Sequence, residues 1–573
     1  MNIMKKFSII ILASLVFSLH SCYDFELAPY DTIAQGNFWK TEADAKKGIM
    51  AVYAQMKDLG SFGYMPLFDT YSDIAHGPGG PVELGTMTGD YSFLVTNWKD
   101  TYEGVQRSNN VIKNVSTMEI ADSVKNPVLG EAYFLRALYY FKLVDLFGGV
   151  PIYNEEWDVA EKFNKMLLPR NSAEEVWQFV ISDLNKAIDK LPIKWNTANT
   201  GRATKGAAYA LRGKAYLYTK QWKNAIADFE EIVNNKTNNY NYGLYSDYYK
   251  YFTSAGPIAG DRETVFAIQN KGDVGALYGM QFARIYGTRG TYGSGQSTCM
   301  PTIIMVDMYE NKNGSAFNWN DFIPGYNESD AVKKTAFWSV LNANKTAIAT
   351  KPDTAKLGNI YRGRDPRLMQ SIIVPYSKYL GYTGTAEKMQ LSVIAEGVTE
   401  ANGFLRPGRA WYPYNFRKFV PVGNMGGAIT SRDHTPINFP IIRFADVLLM
   451  LAEAYNEDGQ LSKAVTELNK VRSRPSTNMP GLNSGPVWLS VTTKEQMFQR
   501  IMHERAVELL GEGHRFSDLK RWRLGVDLLN KPEKDLIGNT VFVRQFVERD
   551  YLWPIPTAET DMNPGLLPNN PGW

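Results

Sequence analysis

The chain has 573 residues, long enough for several domain-sized units and a large buried core, with 44% hydrophobic and 21% charged residues. Its 62 basic and 59 acidic side chains leave a net charge of +3, which excludes a nucleic-acid binder driven by a basic surface; no nucleic-acid partner is expected. Five histidines and two cysteines give little material for a metal site, so no metal and no cofactor are expected, while 33 Tyr, 28 Phe and 13 Trp make the chain rich in aromatics.

At the start, Lys5 and Lys6 precede an apolar run from Phe7 to Leu19, followed by Leu19-His20-Ser21-Cys22. A short basic head before an apolar stretch of this length reads as a signal peptide over 1–21. The residues around Cys22 match a bacterial lipobox, which makes Cys22 the expected lipidation site and 22–42 a lipidated stalk. Several acyl chains anchor a protein stably where one does not. Cys299 is then the only other thiol, and it reads as packed. No later stretch approaches the roughly 18 apolar residues of a spanning helix.

Residues 43–237 read as successive amphipathic helices. Trp98 and Tyr102 open one and read as core. The run from Asn126 to Phe147 is apolar nearly all round, interrupted by Glu131, Arg136, Lys142 and Asp145, which predicts a central buried helix. Ser172 and Glu175 have the spacing of a capping box. Val176, Val180, Leu184, Ala187 and Leu191 follow at helical spacing. Gly213, Tyr216, Ala225 and Phe229 then stand at the offsets of the small and aromatic positions of the ~34-residue tetratricopeptide repeat. In that repeat, small residues let paired helices approach and aromatics wedge between pairs. Ala452, Tyr455, Ala464 and Leu468 keep the same offsets, so both ends of the chain are expected to build one scaffold.

Between these copies, over 238–440, the helical period fades and Gly, Tyr, Asn, Thr and Pro accumulate. A long irregular stretch inside a compact protein is characteristically a functional loop region. The expected fold is therefore mainly α: a tetratricopeptide-like helix-pair scaffold over 43–237 and 441–573 with a large loop-rich insertion at 238–440.

The sequence offers no catalytic motif, and no catalytic residue is expected. His503-Glu504 lacks a second histidine at zinc-protease spacing, and His514 reads as structural, in a polar cluster at a helix end. Gly213-Lys214 is followed by Ala215, not by the Ser or Thr of a phosphate-binding loop, and Ser294 lacks the flanks of a nucleophile elbow.

Several segments carry a resemblance. Glu131-Ala-Tyr-Phe-Leu-Arg-Ala137 leads to Phe147-Gly-Gly-Val-Pro151, and Gly201-Arg-Ala-Thr-Lys-Gly206 opens the first repeat. Arg443 to Ala454, Glu504 to Trp522, Tyr551-Leu-Trp-Pro-Ile-Pro556 and Asn569-Asn-Pro-Gly-Trp573 follow in order. Across nearly the whole chain after residue 21 this resembles the SusD/RagB family. The resemblance implies a lipid-anchored outer-membrane protein facing the cell exterior, without catalysis, that binds glycan. It also implies a SusC-like TonB-dependent transporter as partner. The family's ligand positions vary, so none carries over.

A glycan site needs flat aromatic platforms and fixed polar groups. Three segments offer that mix. The first, which also holds Phe68 and Tyr71, supplies Asp73, His76 and Tyr91. The second supplies Tyr278, Phe282, Arg284, Tyr286, Arg289 and Tyr292. The third, Phe404 to Lys418, holds Arg409, Trp411, Tyr412 and Tyr414 and ranks below the others. Two rival functions are a peptide- or glycopeptide-binding repeat protein of the same uptake type and a helical glycoside hydrolase or lyase.

Overall fold

The computed structural model describes residues 38–157, 167–271, 279–405 and 414–573. Helix α1 (Glu42–Gln55) starts at a capping box in which Thr41 and Asp44 exchange side-chain and backbone hydrogen bonds. Helices α2 (Ser92–Thr117), α3 (Asp122–Phe147) and α4 (Ala173–Lys190) pack in succession. The capping box read from Ser172 and Glu175 is present: the Ser172 amide donates to Glu175 Oε2 at 2.7 Å, and the Glu175 amide donates to Ser172 Oγ at 3.2 Å. Helix α3 begins at Asp122, before the expected Asn126. Pro127 lies near enough to the N-terminus that its missing N–H removes only one early helical bond.

The charges that interrupt α3 are buried and paired. Arg136 grips Asp183 of α4 through two hydrogen bonds, of 2.7 and 2.8 Å, and Glu131 is held by Arg202 and by the Tyr53 hydroxyl at 2.8 Å. Bidentate Arg–carboxylate pairs fix orientation, so Arg136 sets how α3 and α4 register, while Glu131 ties α3 to α1 through Tyr53 and to the segment at Arg202.

Helices α5 (Lys205–Tyr218) and α6 (Trp222–Val233) form the first repeat pair, and α7 (Phe444–Glu457) and α8 (Leu461–Arg472) the second. A Cβ at Gly213 would come within 2.6 Å of the Phe229 ring, so the two helices approach as closely as the glycine allows. Ala225, Phe229, Ala452, Tyr455, Ala464 and Leu468 are all buried. Tyr216 is the exception to the expected wedge: it is only half-buried, and its ring lies 5.8 Å from the Arg212 guanidinium. The two repeats meet directly, α6 against α7, and the Tyr455 hydroxyl donates to Glu230. Helix α9 (Lys494–Glu508) packs on α7, and α10 (Arg515–Arg521) follows. The fold is a mainly helical, tetratricopeptide-like scaffold closed by both ends of the chain.

The strands are short. In chain order they include β1 (Ala75–His76), β2 (Thr264–Ile268), β3 (Met300–Pro301), β4 (Lys378–Thr383), β5 (Ala386–Ser392), β6 (Phe404–Leu405) and β7 (Phe439–Arg443). Strands β2 and β7 pair antiparallel, Phe439 opposite Ile268 and Arg443 opposite Thr264, so the loop-rich insertion leaves and re-enters the scaffold at one place.

That junction is clamped by buried ions. Arg443 donates to Glu263 (2.7 Å), Glu508 (2.8 Å) and Glu512 (2.7 Å), while Arg474 binds Glu263 and Glu508 and Arg367 binds Glu504 and Glu508. Burial alone would push the Glu508 carboxyl up, but Arg474, Arg443 and Arg367 hold it well below the usual carboxylate range. His514 is buried at the start of α10, and burial lowers it to about 4. Cys299 is buried and its thiol is pushed up, a packed residue. Among the described residues no helix is long and apolar enough to cross a membrane.

Candidate functional site

Most of the first two aromatic segments is interior. Asp73 is 7% exposed and accepts two 2.8 Å hydrogen bonds from Arg515, 442 residues away. His76 is fully buried in β1, which pairs with β3, and burial lowers it to about 3. Phe282 is fully buried against Phe419, their rings 4.8 Å apart and within 17° of parallel. Tyr286 is also fully buried, its ring 4.3 Å from Phe416 and its hydroxyl 2.8 Å from the Gly511 carbonyl. These four are therefore corrected from ligand contacts to framework: a ring or carboxylate with no exposed face cannot touch a sugar. Loss of helical period marked irregular backbone there, not solvent.

Tyr91 is half-buried, hydrogen-bonded to Tyr71 and packed 6.3 Å from the Phe93 ring, so it too is committed to the frame. Arg284 is partly exposed but ion-paired to Asp433 at 3.1 Å. Asp433 lines a cleft of about 630 Å³ between α1, Gly201-Arg202 and the insertion. The Tyr53 hydroxyl in that cleft already donates to Glu131 and accepts from the Ala203 amide, so that hydroxyl is committed to the scaffold. Tyr278 and, in the third segment, Arg409, Trp411 and Tyr412 lie outside the described residues. Tyr414 is buried, sharing a 2.8 Å hydrogen bond with Tyr361.

What remains at the surface is the 287–295 loop, and the structure adds to it a residue the sequence reading missed. Tyr292 packs against Tyr382 of β4, ring centroids 4.8 Å apart and tilted by 30°, and both side chains are partly exposed. Two glycines bring them together. A Cβ on Gly381 would sit 2.2 Å from the Gly290 carbonyl oxygen, a backbone atom, so glycine at 381 lets loop and hairpin touch; one on Gly290 would sit 1.8 Å from Gln390 Oε1, at a side-chain tip. The contact is sealed by the Tyr382 amide donating to Gly290 O at 2.8 Å. Arg432 Nη1 donates to Ser294 O at 2.8 Å and holds the loop from its other end.

Polar groups ring this aromatic pair. Arg289 is exposed, three residues before Tyr292. Glu387 stands directly opposite Tyr382 across the β4–β5 hairpin and accepts from the Asn424 amide at 3.1 Å. Two flat rings with the Glu387 carboxylate beside Tyr382, and an exposed guanidinium in the same loop as Tyr292, offer aromatic faces and planar hydrogen-bonding groups. The sequence signal for Tyr382 was a short alternating strand, Tyr379-Leu-Gly-Tyr-Thr383, ending in a two-residue turn at Gly384, whose φ is +65°. No group of three or more His, Cys, Asp or Glu side chains able to hold a metal ion is present among the described residues.

The sequence profile described as the SusD family matches residues 262–573, more than half of the chain. The chain belongs to the SusD family. A second profile, "Starch-binding associating with outer membrane", matches residues 84–217. The SusD-like protein P2 of Formosa agariphila is 26% identical over 594 aligned positions that cover 100% of both chains. Among solved structures, a SusD-like carbohydrate binding protein from Bacteroides fragilis superposes with a TM-score of 0.74 at 22% identity, covering 92% of this chain and 99% of that one. Surface glycan-binding protein A from Bacteroides thetaiotaomicron, solved in complex with laminarihexaose, gives 0.62 at 18% identity over 92% and 99%. These likenesses show that the SusD fold is shared over nearly the whole chain.

Proposed function

We propose that this SusD-family protein captures an oligosaccharide at the cell surface and delivers it to a SusC-like TonB-dependent transporter, without catalysis. Cys22 would carry the lipid anchor, holding the protein on the outer face of the outer membrane after loss of residues 1–21. The observation that carries the reading is the partly exposed Tyr292–Tyr382 ring pair with Glu387 beside Tyr382, in a loop that also carries the exposed Arg289. Sugar rings present apolar C–H faces edged by hydroxyls; stacked tyrosines meet the faces, and the guanidinium and carboxylate meet the hydroxyls. The description of one matching profile as starch-binding at the outer membrane, and the laminarihexaose bound to a structural relative, support the same class of ligand.

A glycan array probed with the soluble chain, lacking residues 1–22, tests the reading. Binding to at least one oligosaccharide, with that sugar recovered unhydrolysed after prolonged incubation, is the expected result. Capture of peptides but of no glycan would favour the peptide-binding alternative, and cleavage of the bound glycan would favour the enzyme.

A further inference from the structure

Apart from the tyrosine pair, the insertion holds a cleft of about 610 Å³ whose described lining residues include Lys312, Arg362, Arg364 and Arg417 and no Asp or Glu. Ligand clefts are commonly of this volume. With a net charge of only +3 on the whole chain, this concentration of positive charge is local. A cleft lined by one sign of charge focuses the field at its mouth.

Arg364 sets the site apart. Seven arginines rank among the largest fully buried side chains. Six of them, Arg136, Arg367, Arg443, Arg472, Arg474 and Arg505, bind carboxylates within 3.1 Å. Arg364 has no carboxylate partner among the described residues. Its Nε and Nη2 donate to the Tyr309 carbonyl at 3.2 and 2.8 Å, Nη2 also to the Val306 carbonyl, and its guanidinium stacks 3.5 Å over Phe317. Its Nη1 is buried with no hydrogen-bond partner, and so is Nε of Arg417. The nearby acid, Asp307, accepts from Trp319 Nε1 at 2.8 Å and makes no ion pair with Arg364, although its charge acts on that guanidinium. Arg362 and Lys312 are exposed at the mouth, and neither makes an ion pair among the described residues. Tyr249, half-exposed, supplies a ring beside them.

A buried cation normally keeps an anion close, because an unpaired charge away from water is costly. Four cations line this cleft, and none of them makes an ion pair among the described residues; the one acid near Arg364, Asp307, is not part of the lining, so the cleft's positive face is open to an anion from outside. We propose that this cleft is a subsite for the carboxylate or sulfate ester of an acidic oligosaccharide, with Arg362 and Arg417 gripping the anion and Tyr249 beside the sugar ring. The proposal rests on the glycan-binding reading and narrows it to charged glycans.

The test is calorimetric titration of the soluble chain with three hexasaccharides: oligogalacturonate, carrying only carboxylates; κ-carrageenan, carrying only sulfates; and neutral laminarihexaose. One of the two anionic probes should bind, and which one binds distinguishes carboxylate from sulfate. Its affinity should fall about tenfold as salt rises from about 50 to about 300 mM. Arg362→Ala combined with Arg417→Ala should weaken it by about tenfold or more, and so should Lys312→Glu, whose exposed position leaves folding intact. The proposal is overturned if neither anionic probe binds, or if the binding one is indifferent to salt and to both variants. Binding of laminarihexaose or any array glycan that survives these variants, yet is lost in Tyr292→Ala with Tyr382→Ala, would leave the glycan reading standing without the anion subsite. Failure of every glycan to bind the wild-type chain would sink both.

Discussion

Replacing Gly381 with alanine is the sharpest local probe of how the candidate site is built. The new methyl carbon would lie 2.2 Å from the Gly290 carbonyl oxygen, about 1 Å inside the closest approach that real side chains make. Gly381 lies within β4, so alanine there adds no backbone strain and the effect is steric alone. The obstacle is backbone, which cannot swing aside as a side-chain tip can, so the 287–295 loop must lift from the hairpin. Lifting breaks the 2.8 Å bond from the Tyr382 amide to Gly290 O, worth about 1 kcal/mol, and the residual crowding adds about 1–2 kcal/mol. The loop stays tethered by Arg432 and by the Ser297 amide bonded to Gly287 O, so the loss should appear as local opening rather than global unfolding. Hydrogen exchange read by mass spectrometry should show peptides from 287–295 and 378–385 exchanging roughly tenfold to a hundredfold faster, with helices α2 to α9 unchanged. Unchanged exchange in both segments would refute the argument that paired glycines hold the tyrosines together.

Three further outcomes follow from the scaffold and its anchor. Ala225→Glu places a carboxylate where α6 faces α5 with no exposed surface, and should cost about 3–5 kcal/mol, read as a lowered melting temperature; an unchanged melt would remove the helix-pair assignment. His514 is held neutral by burial among Lys214, Asp446, Glu512 and Arg505, protonating near 4 in the folded chain against 6.5 in the unfolded one. Between those values the unfolded state binds more protons, so this residue's contribution is full above pH 6.5 and is lost, by up to about 3 kcal/mol, as pH falls to 4. His514→Gln should flatten that part of the stability curve in denaturant titrations, and parallel curves for variant and wild type would contradict the assignment. Cys22→Ala should release a folded protein from membranes of cells lacking the transporter; full retention there would overturn the lipid-anchor reading.

The scaffold was legible because its signals are local. Gly213 with Phe229, and Ala452 with Leu468, mark helix pairs by residue size at fixed offsets, and the Ser172–Glu175 cap needs only four residues. The charges at Glu131 and Arg136 read correctly as interruptions of a buried helix, although their partners Arg202 and Asp183 could not be named from spacing. The site was less legible for a physical reason. Phe282 and Tyr286 sit in Gly- and Tyr-rich sequence that looks like a surface loop, yet Phe416 and Phe419, more than 120 residues later, roof them over. Asp73 resembles a ligand group in sequence because its partner, Arg515, lies 442 residues away. Tyr382 was missed because a six-residue strand carries little pattern, and its importance comes only from Gly290 docking against Gly381.

The central claim is that Tyr292 and Tyr382 form the stacking face of a glycan site. Its most direct test is titration of the oligosaccharide selected on the array into the wild type, Tyr292→Ala, Tyr382→Ala and the double variant. The account predicts a loss of about 1–3 kcal/mol, roughly ten- to two-hundredfold, in each single variant, with non-additive losses in the pair and melting temperatures that scarcely move. Wild-type affinity in the double variant, with its fold intact, would contradict it.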